Sequence, residues 1–139
     1  AGTAMLRPHC LAILAEAHAE NNDFIEALNV IAQAIEVAER TNEHWATPEL
    51  LRLKGEFLLQ HGDEVDNATK CFEKSLEVAQ MQTAKGWELR TSNSFAKLLL
   101  SQNRASDARE LITPIYKWYS EGFSTADLQD AQNLLEQVS

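Results

Sequence analysis

Apolar residues recur at three- and four-residue spacing along almost the whole chain, and nowhere does a strict alternation last long enough to build a strand. Only a helix, at about 3.6 residues per turn, gathers such positions onto one face. The spacing predicts seven helices. The first runs from about Leu6 to Asn21, with Pro8 in the opening turn, where its missing N–H is not needed. The second runs from Asp23, a suitable N-cap, to Thr41, with Phe24, Ala27, Leu28, Ile31, Ile35 and Ala38 on one face. Thr47-Pro48-Glu49-Leu50 opens a third that stops near His61-Gly62. A fourth covers Val65 to Thr83 and buries Ala68, Phe72, Leu76 and Ala79. A fifth, Lys85 to Gln102, carries Trp87, Leu89, Phe95, Leu98 and Leu99. The sixth, Ala105 to Tyr119, carries Ala108, Leu111, Ile112, Ile115 and Tyr116, and Pro114 should kink it or break its ladder locally. After a turn at Glu121-Gly122-Phe123, Ser124 or Thr125 caps a last helix bearing Leu128, Ala131, Leu134 and Leu135; Ser124 and Asp127 have capping-box spacing.

Composition supports an all-α fold: five glycines and three prolines in 139 residues leave few breakers. With 45% hydrophobic and 24% charged residues, the chain can bury a core without disulfides or metal. A net charge of -9 repels phosphate backbones and anionic lipid, so neither nucleic acid nor membrane is the expected partner. Apolar runs such as Leu98-Leu99-Leu100 fall far short of the roughly 20 residues that span a bilayer. Cytoplasmic localisation is expected, with Cys10 and Cys71 as reduced, buried thiols. Ala1-Gly2-Thr3-Ala4 reads as an expression scar or frayed end, so residues 1–5 stand apart from a single domain over 6–139.

The helices repeat. In the second helix of each pair, Ala27, Ile31 and Ala34 have the spacing of Ala68, Phe72 and Ser75 and of Ala108, Ile112 and Ile115. From Ala27 to Ala68 is 41 residues, and from Ala68 to Ala108 is 40. The small residue lets two helices approach, and the large one fills the adjoining space. The first helices agree in register: Leu14-Ala15 with His18, Lys54-Gly55 with Leu58, and Phe95-Ala96 with Leu99. Asn22, Gly62 and Asn103 each fall seven residues after the small residue, where a helix end favours a left-handed Gly or Asn. Hairpins over about 6–41, 47–83 and 85–120 are followed by a capping helix over 124–138.

On these residues the chain resembles the tetratricopeptide repeat family, over about Leu11 to Tyr119. The family's large-small pair corresponds to Leu14-Ala15, Lys54-Gly55 and Phe95-Ala96, its bulky position to His18, Leu58 and Leu99, and its second-helix small residue to Ala27, Ala68 and Ala108. The period exceeds the family's usual length of about 34, Lys54 replaces a large apolar residue, and one extra residue lies between Gly62 and Ala68. Such long hairpins are similar to the elongated repeats of kinesin light chain and of maltose-type transcription activators. The stretches from Glu49 to Glu56, Cys71 to Ala79, Ala84 to Arg90 and Pro114 to Leu128 also resemble the C-terminal repeat region of bacterial multidomain ATPase regulators, some of which carry adenylate or guanylate cyclase domains. The resemblance implies an α-α superhelix and a protein-binding role, without catalysis.

No residue pattern adds an enzymatic reading. There is no Gly-rich phosphate loop ending in Gly-Lys-Ser or Gly-Lys-Thr, no dinucleotide fingerprint and no Gly-x-Ser-x-Gly elbow. His9, His18, His44 and His61 lack the i, i+4 spacing of a helical zinc pair, so no catalytic residue, metal or cofactor is expected. His9 and the neighbouring Cys10 should point to different helix faces. Trp45, Trp87 and Trp118 should pack in the core or between repeats, and Tyr116, Trp118, Tyr119 and Phe123 should seat the last helix as a cap.

Stacked hairpins line a concave side with their first helices. The resemblance therefore places Glu16 and Glu20, then Arg52, Glu56 and Gln60, then Arg90, Asn93 and Lys97 along a peptide-binding groove, its cations mainly in the C-terminal half. Such cations suit an acidic segment or a chain-end carboxylate. Reversing Arg52 and Arg90 should then leave stability nearly unchanged. The leading functional expectation is a non-enzymatic module binding a peptide or neighbouring domain in bacterial signalling. The alternatives are a homodimerising unit, built on the exposed flank of the first hairpin, and a small-molecule sensor domain of a transcription or cyclase regulator.

Overall fold

A computed structural model describes residues 7–62 and 65–138. The expected ends of the chain and the Asp63-Glu64 part of the third turn lie outside them. Seven helices follow one another: α1 (Pro8–Glu20), α2 (Phe24–Thr41), α3 (Thr47–Gly62), α4 (Val65–Met81), α5 (Lys85–Ser101), α6 (Ala105–Trp118) and α7 (Ala126–Val138). Strands are absent among the described residues, and none of their helices is long and apolar enough to cross a membrane. Compactness divides the chain into two units that meet within α4, at Val78 and Ala79.

In the first unit, Leu11, Ala12 and Ala15 of α1, Ala27, Val30, Ile31, Ala34 and Ala38 of α2, and Leu50, Leu53 and Phe57 of α3 form one core. Phe72 of α4 is fully buried and sits so close to Gly55 that a Cβ there would lie 2.6 Å from its Cε1. This contact explains why the small position of α3 is a glycine. Ser75, also fully buried, donates its hydroxyl to the Pro48 carbonyl at 2.7 Å, satisfying both groups away from water. In the second unit, Leu89, Ala96 and Leu99 of α5 pack with Ala108, Ile112 and Ile115 of α6 and with Leu128, Ala131 and Leu134 of α7. The small-large pattern in the three second helices, Ala27-Ile31-Ala34, Ala68-Phe72-Ser75 and Ala108-Ile112-Ile115, is buried throughout.

Four helix ends close in one way. Asn22, Asn42, Thr83 and Asn103 are left-handed, with φ between 55° and 61°. The residue after each donates its N–H five residues back: Asp23 to His18, Glu43 to Ala38, Ala84 to Ala79 and Arg104 to Leu99. This closure satisfies carbonyls that the last turn would leave open. Asn22 and Asn103 fit the turn expectation, whereas Gly62 has φ 156°, outside that conformation.

Several side chains depart from expectation. Leu14, the large member of its pair, is 46% exposed, because the buried side of α1 is set by Pro8, Leu11, Ala12 and Ala15. Cys10 is exposed; Cys71 alone is buried. His9 and Cys10 meet, Nε2 to Sγ at 3.6 Å. Trp45 and Trp118 lie largely in solvent, one ring against His9 at 5.4 Å and the other edge-on to Tyr119 at 5.0 Å. α6 continues through Pro114, which lies on its exposed side. Thr125, one of the two residues expected to cap α7, stands just before it, its carbonyl accepting the Gln129 N–H.

Candidate functional site

The eight proposed groove residues divide between the units. In the first, Glu16 and Glu20 are exposed on α1, and on α3 Glu56 is half-buried and Gln60 exposed. Arg52 is not offered to a partner from solvent. Its Nε donates to Glu49 Oε1 at 2.7 Å and its Nη2 to Glu49 Oε2 at 2.9 Å, with both side chains more than four-fifths covered. A two-pronged arginine–carboxylate pair one turn apart fixes both groups. Reversing Arg52 would set two negative charges together in that covered place, so it must destabilise the fold, contrary to the expectation of a silent change.

In the second unit the three groove residues of α5 all lead to α7. Arg90 Nε donates to Asp127 Oδ2 at 3.2 Å, and its guanidinium lies 5.4 Å from the Trp87 ring, a distance suited to cation–π attraction. Asn93 is buried rather than solvent-facing. Its Nδ2 donates to the Asp127 carbonyl at 2.9 Å, while its Oδ1 has no hydrogen-bond partner. Lys97 Nζ lies 2.8 Å from Asp130 Oδ2. Pairs 90 with 127 and 97 with 130 advance together, so α5 and α7 point the same way. Beside them is a shallow cavity of about 300 Å³ lined by Ala84, Gly86, Trp87, Arg90 and Asp127.

The aromatic cluster frames α7. Tyr116 and Phe123 bring their rings to 5.6 Å across the turn before it, and Lys85 Nζ stands 5.6 Å from the Trp118 ring. Burial and the nearby carboxylates Asp127 and Glu88 hold the Tyr119 hydroxyl above its ordinary pKa. Residue patterns read Glu49 and Asp127 only as helix-start residues and did not assign them, or Asp130, to the groove. The Glu49–Arg52 spacing was readable as an i, i+3 pair. Asp127 and Asp130 carried only the weaker signal of acidic residues in a chain whose expected groove holds cations. Among the described residues, no three or more His, Cys, Asp or Glu side chains gather as a metal site.

No family model matches this sequence, and comparison with curated proteins and with solved structures gave no match.

Proposed function

We propose that the chain is a non-enzymatic protein-interaction module, a tetratricopeptide-like stack of three long hairpins closed by α7, working in the cytoplasm as part of a bacterial regulator. The first-helix faces bind a helical or extended peptide, or a neighbouring domain, that carries carboxylates. One observation carries this reading: Arg90, Asn93 and Lys97 of α5 together hold a helix, through Asp127, the Asp127 carbonyl and Asp130. A face that reads two aspartates and a backbone carbonyl on its own chain has the chemistry to read them elsewhere in the array. The buried alternation of small and large residues, 40 to 41 apart, supports the repeat assignment.

The test leaves Arg52 and Asn93 untouched and changes exposed groove positions, Gln60→Glu with Lys97→Gln. Both residues lie at the surface, so the urea midpoint should move little. Proteins captured from the source cell by the wild-type chain should be lost with the variant. An identical set of captured proteins with both chains would refute the groove.

A further inference from the structure

α1 is apolar on two sides, and only one of them is used. Pro8, Leu11, Ala12 and Ala15 face the core of the first unit. At about 100° per residue, Cys10, Ile13, Leu14 and Ala17 fall on the opposite side. All four are exposed, Ile13 at 65%. Between Arg7 and Glu16 no Asp, Glu, Lys or Arg interrupts the sequence, and His9 is turned against Trp45. Glu16 lies to one side of this stripe, and the charges that flank the stripe stand at its two ends, Arg7 before the first turn and Glu20 in the last.

We infer that this face pairs with the same face of a second copy, α1 against α1 and antiparallel, about a two-fold axis passing between Ile13 and Leu14. Charge selects both the occupant and the direction. A chain of net charge -9 repels its copies except where the meeting surfaces are neutral or complementary. Antiparallel pairing on that axis sets Ile13 against Leu14 of the other copy, Cys10 against its Ala17, and Arg7 against its Glu20. Parallel pairing would set Arg7 against Arg7 and Glu20 against Glu20. Arg7 already donates to Glu43 at 3.0 Å, yet its side chain stays 60% exposed and within reach of a second carboxylate. A two-fold interface is self-complementary by construction, and this stripe meets that condition. One short helix covers less than the roughly 800 Å² per partner of a stable interface, so the dimer is weak, on the order of 10–100 µM.

Sedimentation of the full chain from about 1 µM to about 1 mM spans that range. The mass should rise with concentration from 15.6 kDa toward twice that value. Ile13→Asp should weaken the association at least about tenfold. Register is tested by Ala17→Cys, which should form a disulfide-linked dimer with the native Cys10 of the other copy on mild oxidation and lose it when Cys10→Ser is added. Cys10 and position 17 lie about 10 Å apart along one helix, too far to bridge within a chain. These changes are at exposed positions, so circular dichroism and the urea midpoint should stay as in the wild type. A monomer throughout the range, or a dimer indifferent to Ile13→Asp, overturns the interface. A missing bridge, or one that survives Cys10→Ser, overturns the antiparallel register.

Discussion

Gly55→Ala and Gly86→Ala are the same chemical change in two helices, and the packing predicts opposite signs. Each exchange removes the backbone freedom of a glycine and favours the helix, by up to about 1 kcal/mol in a helix interior and less in a first turn. At Gly86 a Cβ meets nothing within 4 Å, so only that gain applies. At Gly55 the new Cβ would stand 2.6 Å from Cε1 of Phe72 and 3.0 Å from its Cδ1 and Cζ. Comfortable carbon contacts are about 3.5–4.0 Å, so the ring or α3 must retreat by about 1 Å. Phe72 is fully buried and has no solvent to retreat into. Overpacking of this kind costs about 1–3 kcal/mol, which outweighs the helix gain and leaves Gly55→Ala destabilised by about 1–2 kcal/mol. Urea unfolding followed by circular dichroism measures both, with unchanged slopes as the check that only stability moved. Phe72→Leu should lower the cost of Gly55→Ala, giving a coupling between the two positions. If Gly55→Ala stabilises the chain as Gly86→Ala does, the close approach of α3 and α4 is wrong.

Thr83 is a β-branched residue held at φ 55°, in the closure that asparagine makes at three other helix ends; Thr83→Asn should stabilise by about 1 kcal/mol, read as a raised urea midpoint, and a lowered midpoint would refute the strain. Burial raises the Cys71 thiol above its ordinary 9.0, with Lys54 pulling the other way. The folded chain thus holds that proton more tightly than the unfolded one, so the stabilising contribution is whole below pH 9 and is lost as pH climbs through the raised value. Cys71→Ala should flatten the alkaline fall in urea midpoint between about pH 8 and pH 11; parallel curves for the two proteins would contradict it.

Helix positions and the small-large register were legible in the sequence because both follow from local spacing. Ala27, Ala68 and Ala108 each stand where a larger side chain would hold helices apart, and each is buried. The turn at Thr83 was not legible, since nothing in its side chain favours a left-handed backbone; the closure made by Ala84 and Ala79 imposes it. Leu14 misled for a related reason. On a helix with apolar residues all round, periodicity does not say which side is inward, and the small Ala12 and Ala15, through which α1 approaches its neighbours, decided it.

The groove positions teach a different lesson, about what a charged residue on a helix face specifies. Arg90 and Lys97 were readable as cations awaiting carboxylates, and carboxylates are what they meet. The separation of 37 residues to Asp127 and 33 to Asp130 hides the match from any local pattern. Asn93 makes the same point in a stronger form. The repeat resemblance placed its amide on the open groove, yet it is buried where α7 supplies a backbone carbonyl, at the cost of an unpaired Oδ1. A buried amide satisfied on one side alone is expensive, and α7 must offset that through Leu128, Ala131 and Leu134 in the core. The apolar stripe of α7 thus supplies the binding energy. The aspartates set which residues of α5 they face and the common direction of the two helices. A partner peptide on the remaining first-helix faces would need that same division of labour: an apolar side for affinity, and carboxylates at the cation spacing for register.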